Sequence, residues 1–179
     1  MVAGPDLQLL RDELRTYVQH RGDAPGVYFF SLEASSWLAV QAARSGWGLP
    51  YHHAAMSGAA NEGSVRVGDE LESRSHRRSS EAHSHVHCRI GEPLAAPQPG
   101  SLEFFLLERY LLYNVRGGRL HRGQVHHVPY PAHAATALEV SDGLLAAAGL
   151  PNVSSRAPDL VHYSPGVDVE VFSVRPVER

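Results

Sequence analysis

Turn-forming residues punctuate this chain every ten to fifteen positions, and the stretches between them are rich in β-branched and aromatic residues. That spacing leaves room for strands and short helices but for no long element. HSHVHCRI (83–90) shows the pattern best. His83, His85, His87 and Arg89 fall on one face of an extended chain, with Ser84, Val86, Cys88 and Ile90 on the other. It reads as a half-buried strand.

The remaining elements follow from the same signals. LRTYVQ (14–19) and VYFFSL (27–32) flank HRGDAPG and predict a hairpin; PDLQLLRDEL before them reads as a short helical lead-in. EASSWLAVQAARSGWG predicts a helix capped by Ser35 or Ser36, with Trp37, Val40 and Ala43 near one face and Gly46 as the left-handed stop. Stretches around 51–58, 63–67 and 70–78 alternate weakly and read as exposed strands. EPLAAPQPG cannot continue a sheet, because each proline removes a donor. SLEFFLLER opens a short helix capped by Ser101, and YLLYNV and LHRGQVHHV form a hairpin about RGG. TALEV is a strand. SDGLLAAAG is a short helix with Ser141 as cap and Gly149 as stop. LVHYSPGVDVEVFSV gives two strand segments broken at Pro165-Gly166. About eight strands and three short helices make an α+β chain with a dominant antiparallel sheet. Its 179 residues suit a single domain over 1–179.

Composition excludes several classes of function. No block of five like charges occurs and the net charge is −3, so neither a nucleic-acid tract nor a membrane-surface tract is present. The one cysteine, Cys88, rules out an internal disulfide, and charged residues interrupt any signal-peptide core at the N-terminus. The expectation is a cytoplasmic protein. All 16 basic residues are arginine, so no side chain can form a Schiff base. No nucleophile-elbow motif occurs, GGRLHRG lacks the spacing of a phosphate loop, and no cofactor is expected.

Three long stretches carry a resemblance: PGVYFFSLEASSWLAVQAARSGWGLPYHHAAMS (25–57), PGSLEFFLLERYLLYNVRGGRLHRGQVHHVPYP (99–131) and HYSPGVDVEVF (162–172). Together they resemble the YqjF-like domain-of-unknown-function family, grouped with the acetoacetate decarboxylase-like fold. The resemblance implies a curved, barrel-like antiparallel sheet around a cavity, and no established activity. Family members usually carry a further N-terminal segment before the LRTYV strand. A shortened chain implies sheet edges covered by a partner or a second copy, unless the true start lies upstream. Acetoacetate decarboxylases place a lysine pair after a Gly-aromatic-Pro turn, and GLPYHH is similar to that turn. Tyr51 and His52 then stand where the lysines would be, which argues against decarboxylation.

Candidate ligand-binding residues come from these motifs. Tyr51, His52 and His53 follow the turn; strand alternation separates His52 from the other two, and one histidine suits general acid–base work. Arg109 is a two-pronged anchor for a carboxylate or carbonyl. Glu103 flanks the same helix and Tyr110 is a wall residue. Of His126 and His127, alternation puts one inside the sheet and one outside. His162, near Asp168, could form an acid–base unit. Each has a plain structural alternative as a packed or solvated side chain. His83, His85 and His87 cannot make a tetrahedron from one flat strand, so no metal site is expected. The leading expectation is small-molecule binding in a closed cavity holding Arg109 and a histidine from 51–53. A homodimer formed through a sheet edge is the alternative, and a histidine-bound metal enzyme the weaker one.

Overall fold

The structure is a computed structural model, and it describes residues 11–58, 65–151 and 156–177. The chain order is β1 (Arg11–His20), β2 (Asp23–Ala34), α1 (Trp37–Trp47), β3 (Tyr51–Gly58), β4 (Glu70–Arg77) and β5 (His83–Pro93), then α2 (Leu102–Leu107), β6 (Leu111–Arg116) and β7 (Arg119–His126). It ends with β8 (His133–Asp142), α3 (Leu144–Ala147), β9 (His162–Tyr163), β10 (Glu170–Val171) and β11 (Arg175–Pro176). The eleven strands form one sheet in the order β10-β7-β6-β2-β3-β4-β5-β8-β9, with β1 beside β2 and β11 beside β7. Most pairs are antiparallel. Two are not: β2 runs parallel to β3 at Leu32–Ala34 and to β6 at Val27–Tyr28. The first follows from α1, because a helix between two strands returns the chain in the same direction.

Several local expectations need correcting. Of the lead-in read as helical, residues 5–10 lie outside the described residues, and Arg11 to Leu14 are already strand, paired with β2. Of the strand expected at 63–67, residues 63 and 64 lie outside the described residues and the rest is loop and turn. Helix α1 is capped by Ser36, whose hydroxyl accepts from Ala39 N at 3.3 Å, but it runs past Gly46. Its stop is Gly48, at φ 67°, whose N–H bonds to Ala43 and Arg44 carbonyls at 3.1 Å. The extra turn lets Trp47 pack against the core. Ser141 belongs to β8, and Asp142 instead accepts the Leu144 N–H at 2.6 Å.

Curvature can be derived from one hydrogen bond. Strands β1 and β4 are separated by β2 and β3, so in a flat sheet their backbones would be about 14 Å apart. Yet Ser75 on β4 donates to Asp12 on β1 at 2.7 Å. Two short side chains cannot span the flat distance, so the sheet curls and makes this face concave. The curl stops short of closure: no pairing joins β9 to β10 among the described residues.

The apolar core lies on the other, convex face, under α1. Val27, Leu32, Ala34, Val40, Leu49, Tyr51 and Leu112 form it, with Tyr17, Phe29 and Trp47 at its margin. Leu32→Ala, at 3% exposure, is expected to cost about 2–5 kcal/mol in urea unfolding. Leu38→Ala, at 73% exposure on α1, is expected to change it by less than about 0.5 kcal/mol.

Candidate functional site

A β-bulge places the first group of polar residues. Leu14 pairs with Ser31 and Arg15 with Phe29, so Phe30 is an extra residue in β2. One extra residue flips the alternation. Val27 and Phe29 before it, and Leu32 and Ala34 after it, therefore all reach the core under α1. Ser31 and Glu33 are turned to the concave face instead.

Glu33 is fully buried. Arg77 of β4 meets it with both Nε, at 3.1 Å, and Nη2. Ser31 donates to the second carboxylate oxygen at 3.3 Å. Asp12 lies across from Glu33 in the β1–β2 register and is held by Ser75. Burial pushes the Glu33 carboxyl above its usual range, Arg77 pulls it back, and Asp12 adds to the rise. His52 of β3 shares this face, next to Ala54, which is paired with Arg77. Burial first, then the charges of Arg77 and Arg44, lower the His52 pKa to about 4. The concave floor thus carries a desolvated carboxylate–guanidinium pair and an imidazole that is neutral at pH 7. The described hydrogen bonds of Arg77 use its Nε and Nη2, and none uses Nη1.

A second polar group sits on the convex side, between α2 and the end of β7. Glu108 is buried; it accepts from the Tyr110 hydroxyl and from Tyr130 N at 3.2 Å. That contact pushes the Tyr110 pKa up to about 12, chiefly through the hydrogen bond to Glu108. His127 lies between Tyr110 and Tyr130, with ring centroids at 4.6 and 4.7 Å. Its Nδ1 donates to Val128 O at 2.8 Å, which assigns the proton to that nitrogen. The Arg109 guanidinium stacks 4.4 Å from the Phe105 ring and lies 5.7 Å from Tyr17, while its Nε is buried with no acceptor among the described residues.

The sequence candidates are therefore divided, not assembled. His52 faces the concave side. Tyr51 is a core residue at 8% exposure, and His53 alternates onto its face. Arg109 and Tyr110 belong to the convex group. Glu103 is half-buried in the first turn of α2, below the Ser101 cap. His126 is exposed and pairs with Glu170, while His127, just past the end of β7, is buried. His162 is half-buried on β9 opposite Ala134. Arg109 and His52 do not share one closed cavity, because the sheet lies between them, while His53 lies on the core side with Tyr51. His85 and His87 hydrogen-bond to Glu72 at 2.8 Å and Glu70 at 3.0 Å, and Arg89 also reaches Glu70, so the histidine face is tied to β4 by a ladder of side-chain contacts.

Sequence reasoning passed over Asp12, Glu33, Ser75 and Arg77 as site residues. Glu33 had a readable signal. It is the sole charge in GVYFFSLEA, and a charge inside an apolar strand must be paired. Nothing in the charged run of β4 singled out Arg77 as its partner.

The DUF2071 family, described as an uncharacterized conserved protein, matches residues 7–168. The chain belongs to this family. It is 36% identical over 166 residues to the uncharacterized protein YqjF of Bacillus subtilis (strain 168), covering 90% of this chain and 64% of that protein. It thus spans just under two thirds of that relative. Among solved structures, the enduracididine biosynthesis enzyme MppR complexed with pyruvate superposes with a TM-score of 0.61 at 12% identity, over 94% of this chain and 66% of that one. Acetoacetate decarboxylase from Legionella pneumophila subsp. pneumophila str. Philadelphia 1 gives 0.59 at 16% identity, over 95% and 67%. At these identities the likeness is one of fold, and this DUF2071 member has the acetoacetate decarboxylase-like fold. No helix among its described residues is long and apolar enough to cross a membrane.

Two outcomes follow from the concave floor. Glu33→Ala leaves Arg77 buried and unpaired and is expected to cost about 3–5 kcal/mol in chemical denaturation, whereas Glu33→Leu with Arg77→Met costs less than the sum of the single changes. Stability is expected to fall as pH drops from about 6.5 to about 4, because the unfolded chain protonates His52 there and the folded chain does not. Denaturation of His52→Gln across that window should lack this part of the loss.

Proposed function

We propose that the concave face binds a small organic molecule carrying a carboxylate or carbonyl group, without Schiff-base chemistry. The observation behind this reading is the buried Glu33–Arg77 pair beside a neutral His52 on the hollow side of a decarboxylase-like sheet. Such a floor is dry enough to strengthen polar contacts with a ligand. The Nη1 edge of Arg77 can donate to a ligand oxygen, and neutral His52 can accept a proton. Of the two residues after the GLP turn, Tyr51 packs away from the hollow, leaving His52 where a reactive amine would be needed. An imidazole cannot form an iminium, and the sequence holds no lysine. The MppR structure with pyruvate supports choosing a 2-oxo acid as the first probe. The single unpaired cysteine supports a reducing cytoplasm as the setting.

The alternative, self-association through a sheet edge, is favoured by the exposed Val171 and Phe172 at β10. Light scattering that finds only monomers at high concentration would remove it.

Calorimetric titration with pyruvate is expected to show saturable binding that weakens about tenfold or more in His52→Ala. Borohydride added to the complex should leave the protein mass unchanged. Absence of binding to pyruvate and related 2-oxo acids, or equal binding by the variant, would overturn the proposal.

A further inference from the structure

Two hairpin tips lie side by side at one end of the sheet. In the first, His20 pairs with Asp23 across the two-residue loop Arg21-Gly22. In the second, Arg116 pairs with Arg119 across Gly117-Gly118. All four loop residues have positive φ: 54° and 78° in the first loop, 54° and 72° in the second. Such loops suit the right-handed twist of a hairpin and favour Gly, Asn or Asp at both positions. Arg21 breaks that preference. A residue with a Cβ is held in the left-handed region, at a conformational cost that observed strain at functional positions commonly carries.

A cleft of about 450 Å³ opens between the tips. His20, Arg21 and Arg119 line it, together with Gly118. Leu120, Pro176 and Val177 supply an apolar floor, the last two from the β11 segment. No carboxylate lines the cleft among the described residues, and neither arginine is in an ion pair there; the ion-paired arginines are Arg15, Arg74, Arg77, Arg89 and Arg156. Arg116, the remaining cation of the second tip, is turned toward the end of α1, where its Nη1 reaches Gly46 O at 3.4 Å. Two guanidiniums from separate loops, without an ion pair among the described residues, therefore line a space larger than an inorganic anion needs.

We propose that this cleft binds the phosphate group of a small organic molecule. Arg21 and Arg119 grip the phosphate from opposite tips. Guanidinium forks match its several oxygens better than a single carboxylate would use them. The body of the ligand rests on Leu120, Pro176 and Val177. This is not a phosphate loop of the strand–helix type, and it owes nothing to a helix dipole. It is also separate from the concave face, so either site can fail without the other.

The test is calorimetric titration at low salt with phenyl phosphate, inorganic phosphate and succinate. Phenyl phosphate is expected to bind saturably, more tightly than the other two, and to weaken as ionic strength rises. Arg21→Gln with Arg119→Gln should reduce its affinity at least about tenfold, while Arg156→Gln leaves it unchanged. On the wild-type protein, amide NMR should show Gly118 among the most shifted signals. Failure to saturate, equal binding by the double variant, tighter binding of succinate, or shifts confined to other residues would overturn the proposal.

Discussion

The contact between Glu33 and Arg77 decides how the concave face of this protein behaves. A carboxylate and a guanidinium removed from water each carry a desolvation penalty of several kcal/mol, and their attraction offsets it only with good geometry. Here the geometry is good: two guanidinium nitrogens reach one carboxylate oxygen, and Ser31 serves the other. The pair links β4 to β2 across β3, and the Ser75–Asp12 bond does the same one strand further out. Both act as chords across the curl. Removing either charge would leave its partner in a dry environment and release the strands it ties. An apolar pair could hold the sheet at least as well, so retention of charges at this cost points to a use for them.

The division of labour between faces rests on the bulge at Phe30. Without it, Leu32 and Ala34 would face the hollow and Glu33 the core, because alternation is strict in an uninterrupted strand. With it, one strand serves an apolar layer under α1 along its whole length and still delivers a carboxylate to the other side. The convex side has its own polar group, in which Glu108 ties Tyr110 to the Tyr130 loop and His127 is packed between the two rings. That group is satisfied mostly from within, apart from the Nε of Arg109. The concave group keeps an Arg77 edge that none of its described hydrogen bonds uses and an imidazole that burial keeps unprotonated.

Much of the fold was legible in the sequence because strands and caps are local. The half-buried alternation of β5, the Ser36 and Ser101 caps and the RGG hairpin are each written in a few consecutive residues. What was hidden depends on distance in sequence. The parallel placement of β2 against β3 and β6 follows from where α1 and β6 dock, and no local pattern encodes that docking. The bulge in β2 left no mark, since Phe29 and Phe30 are equally suited to either face. The candidate site was read only in part for the same reason. His52 stands among the sequence candidates, with Tyr51 and His53, because a turn motif precedes all three, whereas Arg77 becomes special only when curvature brings it to Glu33, 44 positions earlier. Arg109 stands out in the sequence by its chemistry, and its approach to Tyr17 of β1 could not be inferred from its neighbours in the chain.

Membership of the DUF2071 family and the acetoacetate decarboxylase-like fold set the frame, and the proposed function rests on the residues of the concave floor within it. This lysine-free sheet has a curved, charged floor but no side-chain amine to attack a carbonyl. Binding and proton movement are what such a floor can support. The direct measurement is a crystal structure of the protein grown with pyruvate. The account predicts ligand density on the concave face, with an oxygen in hydrogen-bonding distance of Arg77 Nη1 and the ligand in contact with His52. An empty concave face at saturating pyruvate, or a ligand seated only on the convex side near Arg109, would contradict it.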